Sequence, residues 1–197
     1  MDRGATLKRT RSNLRAGTKG RWLVFVVEEF IETCSAARGE PKPLLAVKQV
    51  MERAVRERGI VEQLSHAPGV RVLHCDPALT VAHVVIAPDS PRSLPHDHRM
   101  WAVVGIAAGR EDSRFFRRSP TSLEPMNGMS LDEGQALAMG PEVIHAIRNP
   151  LSNRITSALH VYGGDLMHVE RSMWTKPDWS EERYDALRAT GTTFVVD

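Results

Sequence analysis

Cysteine is scarce in this chain. Two thiols, Cys34 and Cys75, stand in 197 residues. They form neither a C-x-x-C pair nor a zinc-ligand cluster, and they read as free thiols of a reducing, cytoplasmic compartment. Long apolar runs are missing too. The longest, Trp22–Val27, is six residues and runs into Glu28 and Glu29, against roughly 20 needed to cross a bilayer. The N-terminus is basic, but no apolar stretch with a small-residue cleavage site follows it. Neither secretion nor membrane insertion is expected. There is no internal repeat and no low-complexity tract.

What is present suits one globular domain with a helical extension. The chain is 42% hydrophobic and 25% charged, ordinary values for a folded protein. A chain of this length buries roughly 70% of its unfolded surface. It can fold without a disulfide or a structural metal, so a metal here points to chemistry. Net charge is +2, unevenly spread. Arg3, Lys8, Arg9, Arg11, Arg15, Lys19 and Arg21 face a single acid, Asp2, within the first 21 residues. Such an arm can bind nucleic acid, but it has no interleaved aromatics and no reading module. It is expected to be a solvated terminus, with nucleic acid not among the partners.

Residues 1–20 are therefore expected to form a basic, flexible arm, 21–68 a helical segment packed on a barrel, and 69–197 the barrel with a C-terminal extension. Leu23, Val26, Val27, Phe30, Ile31 and Cys34 recur at three- and four-residue steps, predicting a helix over Arg21–Ala37. A second helix is expected over Pro43–Arg58, with proline near its start and Gly59 past its end, and a short third one over 60–66. After Pro68-Gly69 the pattern changes to short β-rich runs. These are Arg71–His74, Thr80–Ala87, Met100–Ile106, Arg114–Arg117, Gln135–Met139, Ala146–Arg148 and Thr156–Tyr162. Turn signals separate them, Asn127-Gly128 included. Many short strands at regular spacing predict a mainly β fold, a small antiparallel barrel or double-stranded jelly roll. A helix over Ser180–Ala189 and a strand over Thr192–Val196 complete the expectation.

The chemistry concentrates in Pro95-His96-Asp97-His98. In an extended strand, residues i and i+2 point to one face, so His96 and His98 can offer two neighbouring metal ligands. Gly134 is followed eleven residues later by His145 and four after that by Asn149. If the barrel brings the two strands face to face, His145 completes a three-histidine set with open positions left for reactants. Imidazole suits iron, zinc, copper or nickel, so the ligands alone leave the metal open.

These residues resemble the two cupin motifs: H-x-H with Gly109 after a short strand, then G-x10-H-x3-N. Most cupins add a glutamate four or five residues after the second histidine. Here Ala102 and Val103 stand there, leaving His96, His98 and His145. Three-histidine cupins resemble the thiol dioxygenases, the cysteine dioxygenase and 3-mercaptopropionate dioxygenase group, and the N-terminal helices fit that family. The segment Leu159–Asp165 is similar to its His-x-Tyr segment, on His160 and Tyr162, and Arg171 matches an arginine that binds a substrate carboxylate.

The resemblance implies a cupin barrel with N-terminal helices and an Fe(2+) cofactor. It implies an oxidoreductase that joins O2 to a small thiol, giving a sulfinic acid. Tyr162 would hydrogen-bond the reactants, His160 would orient Tyr162, and Arg171 would clamp a carboxylate. Ala158 replaces the family's relay serine, Val103 its crosslinking cysteine, and Arg99-Met100 a smaller pair before Trp101, while His74 lies near the place of a second arginine. His160, Tyr162 and Arg171 also admit structural readings, as do Trp101 and Trp174. His66, His83 and His168 read as structural or exposed. Two other functions stay open: a three-histidine dioxygenase acting on a non-thiol substrate, and a non-catalytic metal-binding cupin. The oligomeric state is not legible.

Overall fold

A computed structural model describes residues 24–64, 67–120, 122–192 and 194–196. The basic arm, residues 21–23 of the first expected helix, and His66 lie outside the described residues. Three helices come first: α1 (Val27–Arg38), α2 (Pro43–Ala54) and α3 (Ile60–Leu64). Strands follow as β1 (Gly69–Asp76), β2 (Leu79–Ile86), β3 (Ala102–Ala108), β4 (Arg110–Arg118), β5 (Leu123–Asp132) and β6 (Ala136–Met139). Then come β7 (Ile144–Arg148), β8 (Thr156–Tyr162), β9 (Ser172–Thr175), β10 (Ser180–Arg183), helix α4 (Ala186–Thr190) and β11 (Phe194–Val196). Among the described residues, no helix is long and apolar enough to cross a membrane.

The strands make two layers. One sheet runs β11-β1-β2-β8-β3-β6. The other holds β5-β4-β7 and β10-β9, joined through His96, which bridges to both His145 and Met173. The expected double-stranded jelly roll with N-terminal helices is what the chain forms. Its mid-sheet strands are apolar on both faces because both are covered. From β3 and β8, Val103, Ala107, Leu159 and Val161 pack outward on Phe30, Val47 and Met51 of the helices. Ala102, Val104, Ile106 and Ala158 point inward with Tyr162. Period two thus splits each strand between a helical layer and the barrel interior. At Gly105 an added Cβ would overlap the Met51 side chain, so glycine is what lets α2 sit on β3.

Several expectations are corrected. The first helix begins at Val27, not Arg21. Val24 bridges to Arg58, and Phe25 N–H donates to the Arg58 carbonyl at 3.1 Å, so this stretch is extended and pairs with the end of the second helical region. For the same reason α2 stops at Ala54 rather than Arg58. Asn127-Gly128 is no turn. Gly128 lies inside β5 opposite Arg114, where an added Cβ would sit 2.7 Å from the Ser113 carbonyl oxygen. Close backbone approach, not chain reversal, demands that glycine. The helix expected over Ser180–Ala189 is strand β10 followed by α4, divided at Asp185, whose side chain caps α4 by accepting from Arg188 N–H.

Candidate metal centre

The H-x-H segment is extended but is not a regular strand. It is tied on both sides by backbone pairs. His96 and His145 exchange N–H···O bonds of 2.9 and 3.0 Å, and Asp97 N–H donates to the Ser172 carbonyl at 3.1 Å. Asp97 points away from the histidines. It is 3% exposed, accepts from Ser172 N–H at 2.8 Å, and pairs with Arg99 at 2.9 Å and Arg118 at 3.3 Å. Arg99 takes a positive φ of 58° just past His98. Its charge, which departs from the resemblance, thus anchors the turn instead of entering the site.

His96, His98 and His145 converge, all buried, with one ligand atom of each within 4.8 Å of the others. Ring centroids are 5.0 to 5.2 Å apart. The donor set suits a divalent metal ion on several counts. His96 Nδ1 lies 2.9 Å from the Leu94 carbonyl. A carbonyl can only accept, so Nδ1 carries the proton and Nε2 keeps its lone pair. Both ring nitrogens of His145 are buried without a hydrogen-bond partner among the described residues, an arrangement that coordination would satisfy. Burial holds all three imidazoles in the neutral, ligating form. It lowers His96 to about 4, with the Arg171 charge adding to the effect, and drives His98 and His145 well below the usual histidine range, with neighbouring histidines adding to theirs.

The triad opens on a cavity of 320 Å³. Tyr162 sits against His98, ring centroids 4.9 Å apart, and burial raises its phenol above the usual value, so it stays a proton carrier. Its hydroxyl is 2.9 Å from His160 Nδ1. Arg171 is 7% exposed and is the one charged side chain other than histidine among the described residues of the lining. Its guanidinium lies 3.4 Å from the centre of the Tyr184 ring, which in turn packs on His96 at 5.5 Å. The other walls are mostly apolar, from Val70, Val84, Ile86, Ile147, Leu166 and Phe194, with Ser90, Ser93, Thr190 and Thr192 among them.

The structure therefore gathers His96, His98, His145, His160, Tyr162 and Arg171 around one cavity. It leaves out the rest. Trp101 packs under Gly163, and Trp174 under Arg118. His83 pairs with the Ser157 hydroxyl at 2.8 Å, His168 with Asp165 at 2.8 Å, and His74 with Asp76 at 3.1 Å. Position 103 faces the helices, on the far side of the sheet from Tyr162. Asn149 is structural, its amide donating to the Ile86 and Arg154 carbonyls. Sequence reading missed two residues. Tyr184 came from a stretch read as helix. Glu111, 1% exposed and raised to about 7 by burial, stands 3.9 Å from His160 Nε2.

No protein-family model matches the sequence. Among solved structures, the chain is similar to an RmlC-like cupin family protein with a double-stranded β-helix fold from Methanocaldococcus jannaschii. The identity is 17% and the TM-score 0.43, over 52% of this chain and 84% of that one. A Bacillus halodurans protein is 14% identical with a TM-score of 0.45, over 62% and 83% of the two chains. Oxalate decarboxylase from Bacillus subtilis is 12% identical with a TM-score of 0.37, over 45% of this chain and 22% of that one.

Proposed function

We propose that the chain is a non-haem iron(II) dioxygenase that converts a small, carboxylate-bearing thiol to its sulfinic acid. The observation that carries this reading is the meeting, in one mostly apolar cavity, of three neutral imidazoles with a tyrosine hydroxyl and a single buried guanidinium. Held by His96, His98 and His145, iron(II) would supply the redox chemistry by which O2 adds to sulfur, RSH + O2 → RSO2H. A ligand set of three neutral histidines leaves the metal's charge uncompensated, which favours an anionic thiolate.

The chain's own residues do the rest. Arg171 offers two parallel N–H donors to a carboxylate. Tyr184, stacked beneath the guanidinium, holds it in place. The mostly apolar walls limit water at the sulfur, and beside Arg171 they offer no Lys, Asp or Glu to pair a second charge. Tyr162 hydrogen-bonds whatever lies beside His98, and His160 fixes its hydroxyl.

The test is oxygen uptake by the anaerobically iron-loaded chain against cysteine, cysteamine, 3-mercaptopropionate and mercaptosuccinate, with His98→Ala as control. Uptake with the carboxylate-bearing thiols, matched by sulfinate and lost in the control, is expected. An iron-replete chain that consumes no oxygen with any thiol sinks the proposal.

A further inference from the structure

Glu111 belongs to β4, in the layer opposite His160. Its Oε1 is 3.4 Å from the Ser113 hydroxyl, which donates to it. Among the described residues its Oε2 has no hydrogen-bond partner, and neither does His160 Nε2. These two orphaned atoms are 3.9 Å apart. The other nitrogen of the same ring is the one that meets the Tyr162 hydroxyl. One imidazole thus spans from a buried carboxyl group to the hydroxyl at the metal cavity. A buried polar atom without a partner is costly, and an approach of about 1 Å would join both orphans in one hydrogen bond. Ala158 faces the same way as His160, two residues earlier on β8, and has no hydroxyl to offer that nitrogen instead.

We propose that Glu111 is a positioning residue: bonded to His160 Nε2, it decides which ring nitrogen carries the proton and so how Tyr162 presents its hydroxyl to the cavity. A neutral imidazole has one N–H, so the chain of bonds must run in one direction throughout. An ionised Glu111 accepts from Nε2–H. Nδ1 then accepts the Tyr162 proton, and the tyrosine oxygen turns its lone pairs toward the cavity. A protonated Glu111 donates to Nε2. Nδ1–H then donates to Tyr162, whose own proton is free for a bound reactant. Besides His160, the Ser113 hydroxyl, the Asp112 carboxylate and the Tyr162 phenol act on Glu111. Its raised value of about 7 puts both arrangements within reach near neutral pH.

The test has a spectroscopic half that stands apart from any activity and a kinetic half that rests on the thiol-oxidising reading. In the zinc-loaded full chain at about pH 8, ¹⁵N signals of the His160 ring should show Nε2–H in the wild type. In Glu111→Leu the proton should move to Nδ1, where the Tyr162 oxygen remains as its acceptor. An unchanged tautomer overturns the proposal. If Glu111→Leu does not fold, the wild type decides alone. Its proton should pass from Nε2 at about pH 8.5 to Nδ1 at about pH 5.5, and a ring indifferent to that change also overturns the proposal.

In the iron-loaded chain, Glu111→Leu should lower kcat about tenfold with KM changed less. Glu111→Gln, which keeps a partner for Nε2, should recover most of that loss. In a Tyr162→Phe background Glu111→Leu should have no further effect. A loss of equal size with and without the tyrosine hydroxyl would mean that Glu111 acts by packing alone. A silent enzyme with the predicted tautomer change would reject the assigned reaction and leave the positioning intact.

Discussion

Replacing Glu111 by glutamine should stabilise the folded chain, and increasingly so as pH rises. The carboxyl group is 1% exposed, and burial lifts it from 4.5 to about 7. Below about 4.5 it is protonated in the folded and unfolded chains alike, and the amide changes little. Between about 4.5 and 7 the folded chain keeps a proton that the unfolded chain has released. Wild-type stability then falls as pH rises. Above about 7 both states are ionised, and the folded state carries the full cost of a buried charge. At roughly 1.4 kcal/mol per unit, that cost is roughly 3 to 3.5 kcal/mol. Glutamine has no charge to bury and keeps the shape. The assay is urea unfolding of wild type and Glu111→Gln, both metal-free, at intervals from about pH 5 to 8.5. Histidines away from Glu111 titrate alike in both proteins and cancel in the difference, and His160, lowered to about 3 by burial, stays neutral in the folded chain over this range. The gap between the two should widen toward about 3 kcal/mol at the alkaline end. A gap that stays constant with pH would refute the reasoning, because a packing effect does not depend on a proton.

Arg171→Lys should raise KM for a carboxylate-bearing thiol roughly tenfold, since a point charge replaces a two-pronged donor. It should leave cysteamine, which has no carboxylate, nearly unaffected in the same oxygen-uptake assay. Gly105→Ala should cost about 1–3 kcal/mol in denaturant unfolding, because its Cβ overlaps Met51 and α2 must lift from β3; a neutral result would mean that the helix seats elsewhere. In the folded chain iodoacetamide should modify Cys75, which is half-buried, and spare Cys34. Burial pushes the Cys34 thiol up to about 12, so almost no thiolate is present near neutral pH. Mass mapping of the alkylated peptides checks this.

The metal triad was legible because its spacing carries geometry. His96 and His98 are two apart on an extended segment, and His145 follows a glycine turn into a strand that pairs with them. His160-x-Tyr162 was legible for the same reason, two residues on one inward face. Glu111 was not. It sits in a run of charged residues, Arg110-Glu111-Asp112, which reads as a solvated strand face. Only the barrel closing over β4 turns position 111 inward. Tyr184 was hidden because its role depends on where the C-terminal segment returns, against Arg171 and His96. Strand β5 gave no signal, since it is exposed along most of its length and an edge strand without a buried face needs no alternation. The early start assigned to α1 failed because Leu23, Val26 and Val27 satisfy a helical period while the backbone of Val24 and Phe25, between them, is claimed by Arg58.

The central claim is that this cavity adds both atoms of one O2 molecule to a thiol sulfur. The most direct measurement is the mass of the product formed under ¹⁸O2 by the iron-loaded chain with 3-mercaptopropionate. A sulfinic acid carrying two ¹⁸O atoms, formed by the wild type and absent with His98→Ala, is expected. Unlabelled or singly labelled product, or doubly labelled product that survives loss of His98, would contradict the claim.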